Sequence, residues 1–175
     1  MHSCKITINN KRFKGILDFG TLVKVKEDIL ENGYDLTIPE IFKSISDINN
    51  INMYVLMSIL LFSISRYADI DEEEIEEIIL NENLGLDTFS SIFSYINLLF
   101  KRCMPQKQEE SNTLFEEDEI NSSDDDWDFS HMEYLWYSVL KRNDDFYKVT
   151  PKTFFQQMET YKKMNNIESE DIDYL

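Results

Sequence analysis

Glycine, proline, cysteine and histidine are all scarce in this chain, with four, three, two and two among 175 residues. Gly15, Gly20, Gly33 and Gly85 leave little material for a backbone loop that wraps a phosphate. The segment Gly15-Ile16-Leu17-Asp18-Phe19-Gly20-Thr21 has the glycine spacing of such a loop. It lacks the phosphate-reaching lysine, and Asp18 sets a negative charge where the anion belongs, so no nucleotide site is expected. Cys4 and Cys103 are far apart and form no CxxC pair; free thiols in a reducing compartment are expected, not a disulfide framework. His2 stands at the chain end, and His131 lies in the first turn of an expected helix among carboxylates, where a half-exposed residue beside an acidic cap is the reading. Without HExxH or GxSxG, no catalytic residue, cofactor or metal is expected.

Basic residues are outnumbered 17 to 34, which leaves a net charge of −17. Phosphate contacts supply most nucleic-acid affinity, so a chain this acidic is not expected to bind nucleic acid directly. The most apolar run, residues 53–64, is shorter than the about 20 residues that cross a bilayer. No apolar stretch follows Met1 as a secretory signal requires. No membrane association is expected, and the cytoplasm is the expected location. The carboxylates at 69–74 and 124–126 lack the central glycine and trailing glutamate of a calcium loop; a helix start and a solvated linker account for them.

What is present is the composition of a folded protein, 42% hydrophobic and 13% aromatic. Cys4, Ile6 and Ile8 alternate with Lys5 and Thr7 as in a strand. Asn9-Asn10-Lys11 makes a turn, and Arg12 to Ile16 returns as a second strand. Helical spacing follows. Leu22, Val25, Ile29 and Leu30 form a stripe closed by Gly33, and Thr37-Ile38-Pro39-Glu40 is a capped helix start. Asn50 or Asn52 caps the apolar run, a helix that must be surrounded by a core or a second copy. Asp71 to Glu74 open another helix, and Asp87 or Thr88 caps the one carrying Phe89, Ile92, Phe93, Ile96, Leu99 and Phe100.

The expected fold is mainly α (α+β), an N-terminal β-hairpin followed by a helical bundle of about five helices, then a C-terminal helical hairpin. The expected organisation is a hairpin-plus-helical domain over 1–104, an acidic flexible linker over 105–126, a C-terminal helical-pair module over 127–166 and an acidic tail over 167–175. In the C-terminal module, Met132, Leu135, Trp136, Val139 and Leu140 form one stripe and Phe154, Phe155, Met158 and Tyr161 the other, with Thr150-Pro151 as a helix start. So many large aromatics exceed what a helical pair can hide by itself, which leaves two destinations, the N-terminal domain or a partner. The candidate partner-binding residues are Trp127, Phe129, Tyr134, Trp136, Phe146, Phe154 and Phe155. If the modules are separate, a chain ending at Asp126 should remain folded.

Two stretches resemble the tail assembly chaperones of long-tailed bacteriophages and prophages of low-GC Gram-positive bacteria. They are KITINNKRFKGILDFGTLVKVKEDI near the start and WDFSHMEYLWYSVLKRNDDFYKVTPKTFFQQMETYKKMNN near the end. The second is similar to the extra C-terminal module of the long form of these chaperones. The resemblance implies a non-enzymatic, acidic, helical protein that binds and solubilises the tape-measure protein and helps recruit tail tube subunits. It implies work in the host bacterial cytoplasm without retention in the mature virion. Met53, Met57, Phe62, Met158 and Met164 would supply an adaptable apolar surface, and self-association along the tape measure is a further expectation. The competing reading is an acidic phage- or prophage-encoded inhibitor that mimics DNA and binds a basic host enzyme.

Overall fold

The alternating N-terminus folds as a hairpin. β1 (Cys4–Ile8) and β2 (Lys11–Gly15) pair antiparallel, with Cys4 opposite Gly15 and Ile8 opposite Lys11. Asn9 and Asn10 turn the chain at φ of 48° and 59°, the left-handed geometry that a two-residue hairpin demands and asparagine tolerates. Cys4, Ile6, Ile8 and Phe13 point inward, while Lys5, Thr7, Lys11, Arg12 and Lys14 are exposed.

Helices make up the rest of this computed structural model, which describes residues 2–46, 51–68, 70–80, 85–105 and 126–165. They are α1 (Phe19–Glu31), α2 (Ile38–Ser46), α3 (Met53–Ala68), α4 (Glu72–Leu80) and α5 (Leu86–Cys103). After the undescribed stretch come α6 (Phe129–Tyr134), a π-helical turn at Leu135–Val139, a 3-10 turn at Phe146–Lys148, and α7 (Pro151–Asn165). The chain is therefore mainly α with an N-terminal hairpin, as its patterning predicts.

The caps explain where the helices start. Thr37 and Glu40 form a reciprocal capping box: Glu40 Oε2 accepts the Thr37 N–H at 2.8 Å, and Thr37 Oγ1 accepts the Glu40 N–H at 3.3 Å. Asn52 caps α3 by accepting the amides of Tyr54 and Val55 at 3.1 and 3.2 Å; Asn50 lies outside the described residues. Asp71 receives the Glu73 amide at 2.9 Å, and Thr150 receives the Thr153 amide at 3.4 Å. At α5 the cap is Gly85, two or three residues earlier than Asp87 or Thr88 would place it. Gly33, at φ 88°, ends α1.

α3 is the central helix, lying beside α1, α2, α4, α5 and β2. Val55, Leu56, Ile59, Leu60 and Ile64 are completely buried, so most of the apolar run is enclosed by its own chain. Gly15 lets β2 approach α3 closely. A Cβ there would fall 1.9 Å from the Tyr95 hydroxyl and 2.8 Å from the Ser63 carbonyl oxygen. The glycine spacing that imitates a phosphate loop is thus accounted for by packing. Leu30 departs from its expected stripe and is 55% exposed.

The hub of the fold is Leu17-Asp18-Phe19-Gly20-Thr21, whose five residues are all buried. Asp18 caps α1 through the Thr21 amide (2.7 Å) and hydroxyl (2.8 Å), and pairs with Arg66 Nε of α3 at 3.3 Å. The same guanidinium donates to the Tyr147 carbonyl at 3.3 Å. One arginine therefore ties α1, α3 and the C-terminal region together, and Gly20 makes room for it, since a Cβ there would lie 2.1 Å from Arg66 Nη2. Gly20→Ala is expected to cost about 1–3 kcal/mol by overpacking, and less in an Arg66→Ala background. Chemical denaturation of the four proteins checks this; equal costs in both backgrounds would show that the guanidinium is not the obstacle.

The linker expected over 105–126 lies outside the described residues except at its ends, and the tail over 167–175 lies wholly outside them. Its C-terminal end is anchored. Asp126 Oδ1 accepts the amides of Ile38 (2.8 Å) and Trp127 (2.9 Å), and Oδ2 pairs with Lys26. A carboxylate at the start of α2 also complements the helix dipole.

Candidate functional site

An aromatic cluster is the outstanding feature, and Phe19 is its centre. Its ring stacks on Phe146 at 4.5 Å and meets Trp127, Phe129 and Phe154 edge-on at 6.2, 6.0 and 5.6 Å. Trp127 reaches further, to Phe42 of α2 at 5.8 Å and Phe155 of α7 at 5.9 Å, and Phe42 meets Phe100 of α5 at 5.1 Å. The Phe19 amide donates to the Val149 carbonyl at 3.0 Å. Edge-on and offset contacts of this kind suit the ring quadrupole and add to the burial of large apolar area.

The seven residues expected to bind a partner are thus mostly engaged within the chain. Trp136, Phe146 and Phe154 are 1%, 0% and 2% exposed and are core groups; they have no surface to offer in this conformation. Trp127, Phe129 and Phe155 are half-buried against the core. Of the seven, only Tyr134, 49% exposed, presents a large part of its side chain to solvent. Of the two destinations open to the C-terminal aromatics, the chain itself is the one occupied here. The physical reason is that Phe19 and Phe42 offer a complementary apolar surface, which no local pattern in residues 127–166 can reveal.

Apolar surface remains elsewhere. Leu30, Tyr34, Met53, Tyr137 and Met164 are 55%, 40%, 47%, 40% and 80% exposed. Tyr34 stacks on Tyr54 at 5.6 Å, and the Tyr54 hydroxyl donates to Asp28 at 2.9 Å, which joins the end of α1 to the start of α3. Met53, Met57 and Leu61 then line α3 at four-residue spacing, exposed at Met53 and half-buried at the other two. Sequence spacing contains this stripe, but the run around it is so apolar that its outer side cannot be picked out. Phe62 and Met158, also expected at the surface, are each 6% exposed and belong to the core.

The groups with chemical potential are held inert or apart. No group of three or more His, Cys, Asp or Glu side chains able to hold a metal occurs among the described residues. His131 is exposed and faces Tyr134 at 6.5 Å between rings. Cys4 and Cys103 are both buried free thiols. Burial pushes Cys103 from its ordinary 9.0 up to about 11, against a smaller opposing hydrogen bond from the Leu17 backbone. Burial likewise raises Cys4. A neutral, buried thiol is a poor nucleophile. In the folded state these acids hold their protons more tightly than in the unfolded chain, so the stability they contribute is complete below the unfolded value and is lost as pH rises, for Cys103 from about 9 towards 11. The expected outcome is slow thiol labelling by a disulfide reagent at pH 8 with a jump on adding denaturant, and an unfolding midpoint that falls above pH 9. Immediate labelling of both thiols in the native protein would contradict it.

No helix among the described residues is long and apolar enough to cross a membrane. The fold and the site define a mainly helical protein whose aromatic residues knit its two ends together and whose exposed large apolar side chains lie on and just after α1, on α3, on α5 and in the C-terminal region. Comparison of the chain with protein-family models, with curated proteins and with solved structures gives no match.

Proposed function

We propose that this protein is a non-enzymatic tail assembly chaperone that binds the tape-measure protein of a long-tailed phage, keeps it soluble and helps bring tail tube subunits to it in the host cytoplasm. What supports the reading is the meeting of the two stretches that carry the resemblance. They are far apart in sequence, yet Phe19 of the first is ringed by Trp127, Phe129, Phe146 and Phe154 of the second. A layout in which both stretches form one body fits a holdase with a fixed surface better than two tethered modules. The flexible thioethers of Met53 and Met164 and the Met57 side chain suit a surface that adapts to a long helical client. The charge of −17 favours solubility of a crowded complex.

Co-expression with the tape-measure protein encoded in the same genome tests the reading. The expected result is a several-fold rise in soluble tape-measure protein and its co-purification with this chain. Both proteins well expressed, with the tape-measure protein still insoluble and unbound, would refute it. The competing reading, a DNA-mimicking inhibitor, draws on α4, where Glu72, Glu73, Glu74, Glu76 and Glu77 are all exposed on one short rigid helix. Displacement of a bound basic protein by duplex DNA would favour it.

A further inference from the structure

The hairpin has one edge that the described residues leave open. A two-residue turn makes Ile8 and Lys11 a hydrogen-bonded pair, and alternation makes Ile6–Phe13 and Cys4–Gly15 the next ones. The amides and carbonyls of Lys5 and Thr7 therefore point away from β2. No partner for them occurs among the described residues. The other side of the hairpin runs into α3 at its end, where the Ile16 amide following β2 donates to the Ser63 carbonyl at 3.0 Å and a Cβ on Gly15 would collide with the same carbonyl. Beside the open edge runs a groove of about 420 Å³ between Lys5 and Thr7 on one wall and Ser91, Ser94 and Leu98 of α5 on the other. The serines are small enough to admit a backbone, and Leu98, 37% exposed, gives an apolar contact.

The charge of the edge selects its occupant. Lys5, Lys11, Arg12 and Lys14 are all exposed, and residues 3–15 contain no acidic residue, although the chain carries −17 overall. None of these four cations is in an ion pair among the described residues. A second copy pairing through β1 would bring two such basic ribbons side by side, which like-charge repulsion opposes; lysine on an edge strand is a known guard against self-pairing. An extended segment with acidic residues alternating with apolar ones meets no such barrier. Its apolar side chains would lie towards α5 and its carboxylates beside Lys5 and the basic residues of β2.

We propose that the outer edge of β1 is a docking site that takes up an acidic, alternating segment of a partner protein as a third strand. Main-chain hydrogen bonds at Lys5 and Thr7 supply the pairing and the basic ribbon supplies the selectivity. This site is separate from the aromatic cluster and does not depend on the chaperone reading.

The test uses the full chain and two labelled peptides of equal length, one alternating Glu with Val and the other Lys with Val. Fluorescence anisotropy should show binding of the Glu-Val peptide, weakened by salt, and at least tenfold poorer binding of the Lys-Val peptide. Amide exchange at Lys5 and Thr7 should slow on binding, while Ile6, already in the ladder, changes little. Thr7→Pro removes an outward donor without removing a bond to β2, and should weaken binding at least tenfold with the melting temperature unchanged. If that variant is misfolded, Lys5→Glu with Lys14→Glu, both at exposed positions, should abolish Glu-Val binding and admit the Lys-Val peptide. Equal affinity for both peptides, or binding without protection at Lys5 and Thr7, overturns the proposal. So does a concentration-dependent dimer that the peptide dissolves, which would give the edge to a second copy.

Discussion

Phe19→Ala is expected to destabilise the whole chain by about 3–5 kcal/mol, the usual cost of emptying a phenylalanine site in a packed core. A typical domain has only about 5–15 kcal/mol in total, so this variant should be close to unfolding at room temperature. The reason is position. Phe19 is completely buried and touches Trp127, Phe129, Phe146 and Phe154, so its removal leaves four rings facing a cavity. Urea denaturation followed by both far-ultraviolet circular dichroism and tryptophan fluorescence provides the check. Because Trp127 and Trp136 sit in the C-terminal region while most helix precedes it, the two signals report on the two ends. They should lose stability together. Phe19→Leu, which keeps most of the volume, should cost less, and Tyr134→Ala, at a 49% exposed site, should stay within about 0.5 kcal/mol. A loss of under about 1 kcal/mol for Phe19→Ala would mean that the ends are not joined through this ring.

A chain terminated after Asp126 should fail to hold a native fold, the opposite of what separate modules predict. Truncation uncovers Phe19 and Phe42 at once and removes the Val149 carbonyl that accepts the Phe19 amide. It also removes the Tyr147 carbonyl from Arg66, leaving a guanidinium beside Asp18 with one fewer partner. Contiguous exposed apolar surface of this kind drives association. The expected observation is a shortened protein with reduced helix content, dye-binding apolar surface and aggregation on concentration. A shortened protein that is monomeric and melts cooperatively near the full-length temperature would restore the two-module reading.

The sequence was legible wherever a local rule governs. Alternation and the asparagine turn locate the hairpin, although β2 runs over Lys11–Gly15, one residue earlier than the expected Arg12 to Ile16, and Thr37 with Glu40 and Thr150 with Pro151 locate two helix starts to the residue. These signals depend on neighbours within four positions. Long-range pairings are silent in the same terms. Asp18 reads in the sequence only as a charge that spoils a phosphate loop, and nothing nearby says that it caps α1 or that Arg66 completes its shell. The aromatic excess in 127–166 is plain, yet its destination depends on whether Phe19 and Phe42 offer a complementary surface, and that is settled only by three-dimensional packing. Leu30 shows the reverse error: its spacing continues the α1 stripe, but Ile29 takes the buried position there, and Leu30, one residue on, is turned to solvent. The candidate site was legible in composition, and its division into core and surface was not.

The ring around Phe19 also sets an order of events during synthesis. A ribosome adds about 5–20 residues per second, so the interval between Phe19 and Phe154 is on the order of ten seconds. Through that interval the hub of α1 leaves the exit tunnel without its ring partners. The first five helices must wait, loosely formed, for the last forty residues to arrive. Slow codons or early termination in this gene therefore act on folding through one side chain made near the beginning.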